Sequence, residues 1–223
     1  MSQSPEEQKI LILSNQINYM DAKNTLVQHS IVGTLSILLV LILRFALSLT
    51  WSKSFSRVSV ILLFIVLIIG PISKLRKTEK CSTLLMMPGC WRGELGIWFA
   101  IIALAHFLIV GVPRKFLGLI EIGGSGFGLT NLIGLVALIL TLILTVTSFG
   151  KVITFLGVES WRKLHGLTYV VFYLVFAHLI YFQFFSTYGQ IGPDWFGYLA
   201  AVMAIIVILL QIAAFMKIVT KKI

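Results

Sequence analysis

Six stretches of this chain are almost wholly apolar, and short polar segments separate them. They lie near 30–51, 57–73, 94–112, 129–149, 161–184 and 195–217. Crossing a bilayer as a helix takes roughly 20 apolar residues, so each stretch predicts one transmembrane span. Each should be helical, because hydrocarbon offers backbone N–H and C=O groups no other partners. The second is the shortest and is expected to end at Gly70-Pro71; the fourth, LTNLIGLVALILTLILTVTSF, carries no charge. The expected fold class is an all-α integral membrane protein, a six-transmembrane-helix bundle. Residues 1–28 read as a cytoplasmic leader. Within it KILILSNQINYM is amphipathic enough to lie on the membrane surface, or the whole leader is an inert tail. Residues 29–223 read as one six-span domain, with no internal repeat and no room after the last span for a nucleotide-binding domain. No cleavable signal peptide is expected, since the first apolar run follows a mixed-charge leader and carries an arginine.

Composition sharpens this picture. Hydrophobic residues make up 58% of the 223 and charged residues only 12%, against about 25% charged in ordinary soluble domains. The mean hydropathy is +1.00. A soluble domain cannot hide that much apolar surface. A disordered chain, a disulfide scaffold and a collagen-like repeat are excluded as well.

The net charge of +10 changes meaning once the bases are placed. With six spans both termini share a side. That side holds thirteen of the eighteen Lys and Arg; the opposite side holds only Lys53, Arg57, Arg114 and Lys115, and Arg44 falls within the first span. This bias puts both termini in the cytoplasm of a cell inner (plasma) membrane. The basic surplus is then a topology signal, the partner is the lipid membrane, and nucleic acid is not expected.

The candidate chemistry lies in histidines. His106 is in the middle of span 3, and His165 and His178 are both on span 5; His29 sits just before span 1. A coordinating residue inside a bilayer is functional by default, because it is costly there without a partner; the plain alternative is a hydrogen-bonded core histidine. No Asp, Glu or Cys lies in a span core, which leaves no ligands for other metals and no carboxylates for a proton relay. Imidazoles among aliphatic and aromatic side chains suit haem iron, with Phe107, Phe172, Tyr173, Phe176 and Tyr181 able to pack on the macrocycle. Spans 3 and 5 run parallel. His106 lies 14 residues past Arg92 and His178 lies 16 past Arg162, which puts them within roughly 3 Å of one depth at 1.5 Å per residue. These two are expected to clamp one haem in the outer half of the bilayer. His165, about 20 Å nearer the cytoplasm, is expected to serve a second haem. On an ideal helix the two span-5 imidazoles point about 140° apart.

These residues carry a resemblance. The stretch Arg92-Gly-Glu-Leu-Gly96 with His106 ten residues on resembles a motif of two arginines, Leu-Gly and a distant His. The stretch Thr147-Ser148, seven residues, Leu156-Gly157, then Trp161-Arg-Lys-Leu-His165-Gly-Leu-Thr-Tyr169, with His178 thirteen on, resembles a second. Both are similar to the ferric reductase-like transmembrane domain family, over about residues 71–185. Among its members, the haem-binding membrane subunit of the bacterial periplasmic methionine sulfoxide reductase system is closest in size and motifs. Gly93 stands where the family has its second arginine, and the spacer before Trp161 is one residue longer than in that subunit.

The resemblance implies a b-type haem protein, with one or two haems and His106, His165 and His178 as ligands, that passes electrons across the membrane. It implies a quinol or flavoprotein donor, with quinone or FMN as further cofactors, and an extracytoplasmic acceptor such as a periplasmic reductase. Alternatives are the membrane subunit of a ferric or oxygen reductase working with a separate flavoprotein, and, in another class, a haem or metal transporter or structural subunit.

Other features bear on the site. Arg44, at a depth similar to His106, either pairs with a haem propionate or snorkels outward. Arg92, Arg162 and Lys163 start spans 3 and 5, where they meet inner propionates, lipid phosphates, or both. The five tryptophans mostly mark span ends. GGSGFG (123–128) follows no strand and reads as a flexible outer turn. Cys81 and Cys90 fall on the cytoplasmic side, where thiols stay reduced.

Overall fold

The computed structural model describes residues 26–76, 91–113, 127–185 and 193–220. Among these the chain is nearly all helical, without a strand. The helices are α1 (Leu26–Phe45), α2 (Trp51–Arg76), α3 (Arg92–Gly111), α4 (Phe127–Val146), α5 (Gly150–Leu156), α6 (Val158–His165), α7 (Thr168–Ile180) and α8 (Trp195–Thr220). A π-helical turn, Tyr181–Phe185, extends α7. Six helical stretches are long and apolar enough to cross a membrane, the fifth running from Glu159 through α6 and α7 to Phe185. Most of the leader, Cys81, Cys90, Arg114, Lys115 and most of the GGSGFG segment lie outside the described residues.

The surface agrees with a lipid environment. Leu35, Leu38 and Leu41 on α1 and Leu209, Ile212 and Phe215 on α8 are exposed. In water such faces would be untenable patches; against acyl chains they are the natural exterior. Hydroxyls inside the spans spend their protons on the preceding turn: Ser36 on the Val32 carbonyl, Thr141 on Ala137 and Thr145 on Thr141. These three hydroxyls thereby leave no donor for lipid to satisfy.

α2 is the centre of the bundle. It packs against α3 and α8, while α4 packs against α7. Its Val58, Leu63 and Leu67 are among the least exposed side chains of the core. α1 joins through Gly33, where an added Cβ would overlap the Trp98 indole of α3.

Three boundaries differ from the sequence expectation. The first span ends at Phe45 rather than near residue 51, because the chain turns at Ser48, a non-glycine residue with φ 53°; His29 falls inside α1. The second span starts at Trp51, six residues early, and does not stop at Gly70-Pro71. Proline removes one helical hydrogen bond but is tolerated where neighbouring groups re-satisfy the backbone, and Lys217 Nζ of α8 caps this helix on the Lys74 and Leu75 carbonyls at 3.2 and 2.7 Å. Lys53 and Arg57, expected before the span, therefore lie within it. The fifth span is broken at Gly166-Leu167, between α6 and α7.

Candidate functional site

The three span histidines are held differently, and the hydrogen bonds say how. His106 on α3 directs Nδ1 at the Ser52 carbonyl, 3.1 Å away in the first turn of α2; the Ser52 hydroxyl is 3.4 Å from the same nitrogen. His178 on α7 directs Nδ1 at the Thr130 carbonyl, 2.8 Å away in the first turn of α4. A carbonyl only accepts, so in each ring Nδ1 carries the proton and donates. In a neutral imidazole Nε2 then holds the lone pair.

His165 sits elsewhere, at the end of α6. Its ring packs against Trp161, with centroids 4.4 Å apart and the planes tilted by 39°, and it feels the charge of Arg92 at the start of α3. Its Nε2 is 3.5 Å from Thr147 Oγ1. That hydroxyl already donates to the Leu144 carbonyl at 3.0 Å, so the contact needs the proton on Nε2. His165 thus favours the opposite tautomer, through a long and weak contact.

The break in span 5 alters how its two histidines face. Through Gly166, Leu167 and Tyr169 the backbone makes i→i−3 bonds of 3.1, 2.9 and 3.2 Å. Each such 3₁₀ step turns about 20° further than an α step, which closes the ideal separation of about 140° to about 80°.

The arginines separate by end. Arg44, near the end of α1, lies over the Trp51 ring at 5.5 Å, next to Ser52, and its buried Nε has no partner among the described residues. Arg92 is at the other end, where an added Cβ on Gly70 would lie 3.5 Å from its Nη1. Arg162 is exposed, while neighbouring Lys163 pairs with Glu159 at 2.9 Å. Arg44 is thus grouped with His106, and Arg92 with His165.

One polar cluster was not anticipated. Arg57, 2% exposed, forms an ion pair with Asp194, just before α8. Its guanidinium also lies over the rings of Trp195 and Phe196, at 4.9 and 5.2 Å. Asp194 in turn accepts from the Phe196 and Gly197 N–H groups at 3.0 and 3.3 Å, and its own N–H donates to Gln183 Oε1 at 3.2 Å. The cluster ties α2, α8 and the π turn together near the end that holds Ser52. A signal was present in the sequence: an isolated acid before one span and a base one turn inside another.

The His106 and His178 imidazoles each have their Nδ1–H engaged and, when neutral, their lone pair on Nε2, the kind of donor that suits haem iron, and Arg44 has a buried Nε–H with no partner among the described residues. Among the described residues no group of three or more His, Cys, Asp or Glu gathers as for a bare metal ion. The apolar cavity lined by Leu63, Phe64, Phe172, Phe176 and Met203 lies between α2, α7 and α8 and contains no histidine. No family model matches the chain, and no match to it is found among curated proteins.

Proposed function

We propose that this protein is a b-type haem protein that carries electrons across a cell inner membrane, with His106 and His178 as axial ligands in the outer half of the bilayer. One observation carries the reading. Two imidazoles on different spans, at the ends where α2 and α4 begin, are each held through Nδ1–H by a backbone carbonyl. Histidine ligands ordinarily donate their second ring N–H in this way, which fixes the ring and raises its basicity. Haem bound there would supply one-electron redox chemistry in an apolar interior.

The chain's own groups have distinct tasks in this proposal. Arg44 offers its spare N–H to an outer propionate. His165 serves a separate inner haem, with Arg92 and Arg162 near its propionates. The bases crowd one side, thirteen there against Arg114 and Lys115 beyond the other ends of the spans and Lys53 and Arg57 in the first turns of α2, which supports cytoplasmic termini. Electrons then come from a quinol or flavoprotein at the cytoplasmic or membrane side. They leave to an extracytoplasmic acceptor, such as a periplasmic methionine sulfoxide reductase.

The test is the reduced-minus-oxidised spectrum of protein purified in detergent. A sharp low-spin b-type spectrum is expected, and His106→Ala or His178→Ala should each abolish the outer-haem absorbance. Full haem content in both variants would overturn the ligand assignment. A parent that takes up no haem, even from added hemin, would favour a structural subunit with core histidines.

A further inference from the structure

The His178 ring rests against the backbone of α4 at Gly134. An added Cβ at that position would lie 2.8 Å from Nδ1, 2.9 Å from Cε1 and 3.3 Å from Cγ. Carbon atoms in good contact stand about 3.5–4.0 Å apart, so the ring and a side chain at 134 cannot both keep their places. Thr130, whose carbonyl accepts the Nδ1–H bond at 2.8 Å, lies one turn earlier on the same face of α4. Gly33 against Trp98 and Gly197 against Gln183 are packed as closely, while at Gly93 and Gly96 an added Cβ meets nothing within 4 Å; of these contacts the one at Gly134 is with a histidine ring. Beyond its first turn α4 is otherwise built from larger residues, and glycine is among the poorest residues in a helix interior.

We propose that Gly134 is the positioning residue of the outer site. Its missing side chain lets the Nδ1 corner of the imidazole come close enough to α4 for the Thr130 carbonyl to hold Nδ1–H. Nε2, across the ring, is thereby turned away from α4. A side chain at 134 would push the ring out, break the Thr130 bond and misdirect Nε2. The consequence for haem rests on the reading of His178 as a ligand; the contact between Gly134 and His178 does not.

Two arms test this. In haem-loaded protein, Gly134→Ala should lose the sharp low-spin band and gain carbon monoxide binding in the reduced state, which a six-coordinate parent lacks. Val136→Ala, at a lipid-exposed position of the same helix, should change neither. In apoprotein, Gly134→Ala should lower the thermal midpoint only while His178 is present, so that His178→Ala/Gly134→Ala melts no lower than His178→Ala, alanine being the better helix former. A parent-like spectrum without carbon monoxide binding would overturn the proposal. So would an equal loss of midpoint in both backgrounds, which would mean that the added methyl clashes with something other than His178. A parent without haem defeats the haem reading alone, and the apoprotein arm still decides the role of Gly134.

Discussion

A histidine's chemistry depends on which nitrogen keeps the proton, and here backbone carbonyls make that choice. Ser52 and Thr130 act through their main-chain oxygens, so substituting their side chains leaves the acceptors in place. Among the described residues no such carbonyl holds His165, whose ring nitrogen meets the Thr147 hydroxyl instead. His165→Ala should therefore lower the haem count while leaving the spectrum of the His106–His178 haem intact, as read by pyridine haemochrome quantitation alongside difference spectra. One haem per chain, untouched by the substitution, would make His165 a donor-site residue. The Arg57–Asp194 pair belongs to the same scale. Removing one partner of a buried pair costs about 3–5 kcal/mol, because the other charge is stranded. Asp194 keeps 26% of its side chain exposed, so Asp194→Ala should fall near the lower end, about 3 kcal/mol, measured by unfolding in mixed detergent micelles. The double change Arg57→Met/Asp194→Leu strands no charge and should recover most of that loss. An Asp194→Ala variant as stable as the parent would show the pair to be idle.

At the scale of elements, the bundle is shaped by where helices break. The turn at Ser48 separates α1 from α2 and puts Ser52 in the first turn of α2, under His106. The 3₁₀ steps at Gly166 and Leu167 rotate His178 relative to His165. The sharpest constraint is Gly157 between α5 and α6, with φ 77° and ψ 146°, a region nearly closed to side-chain-bearing residues. Its N–H donates to the Ile153 carbonyl and its own carbonyl accepts from Trp161 N–H, at 2.9 and 3.0 Å, so the strained residue sets the start of the helix that carries His165. Gly157→Ala should cost about 1–3 kcal/mol. It should also disturb any His165-dependent haem before the outer one. Equal loss of both haems, or of neither, would count against α6 as the support of a separate site.

For the whole molecule, topology fixes the direction of any electron transfer. On the proposed orientation a reporter fused after Ile223 reads as cytoplasmic, and a periplasm-active reporter at that position stays silent. The opposite result would reverse the inner and outer assignments of His165 and the His106–His178 pair while leaving their geometry unchanged. The exposed leucine and isoleucine faces of α1 and α8 do not depend on that orientation.

Much of the architecture was legible from the chain alone. Six spans follow from local runs of apolar residues, since lipid leaves the backbone no alternative to the helix. Three histidines inside those runs stand out because nothing apolar explains them. Their depths already grouped His106 with His178; how each ring is held was beyond the sequence for a definite reason: the partners are main-chain oxygens, which every residue possesses and no side chain announces. Arg57 and Asp194 are 137 residues apart, and only the packing of α8 on α2 brings their charges together. The exact span ends were likewise decided in three dimensions. Pro71 removes one hydrogen bond, yet α2 runs on to Arg76, and Lys217, from a helix at the far end of the chain, meets the Lys74 and Leu75 carbonyls that the last turn leaves without an intrahelical donor.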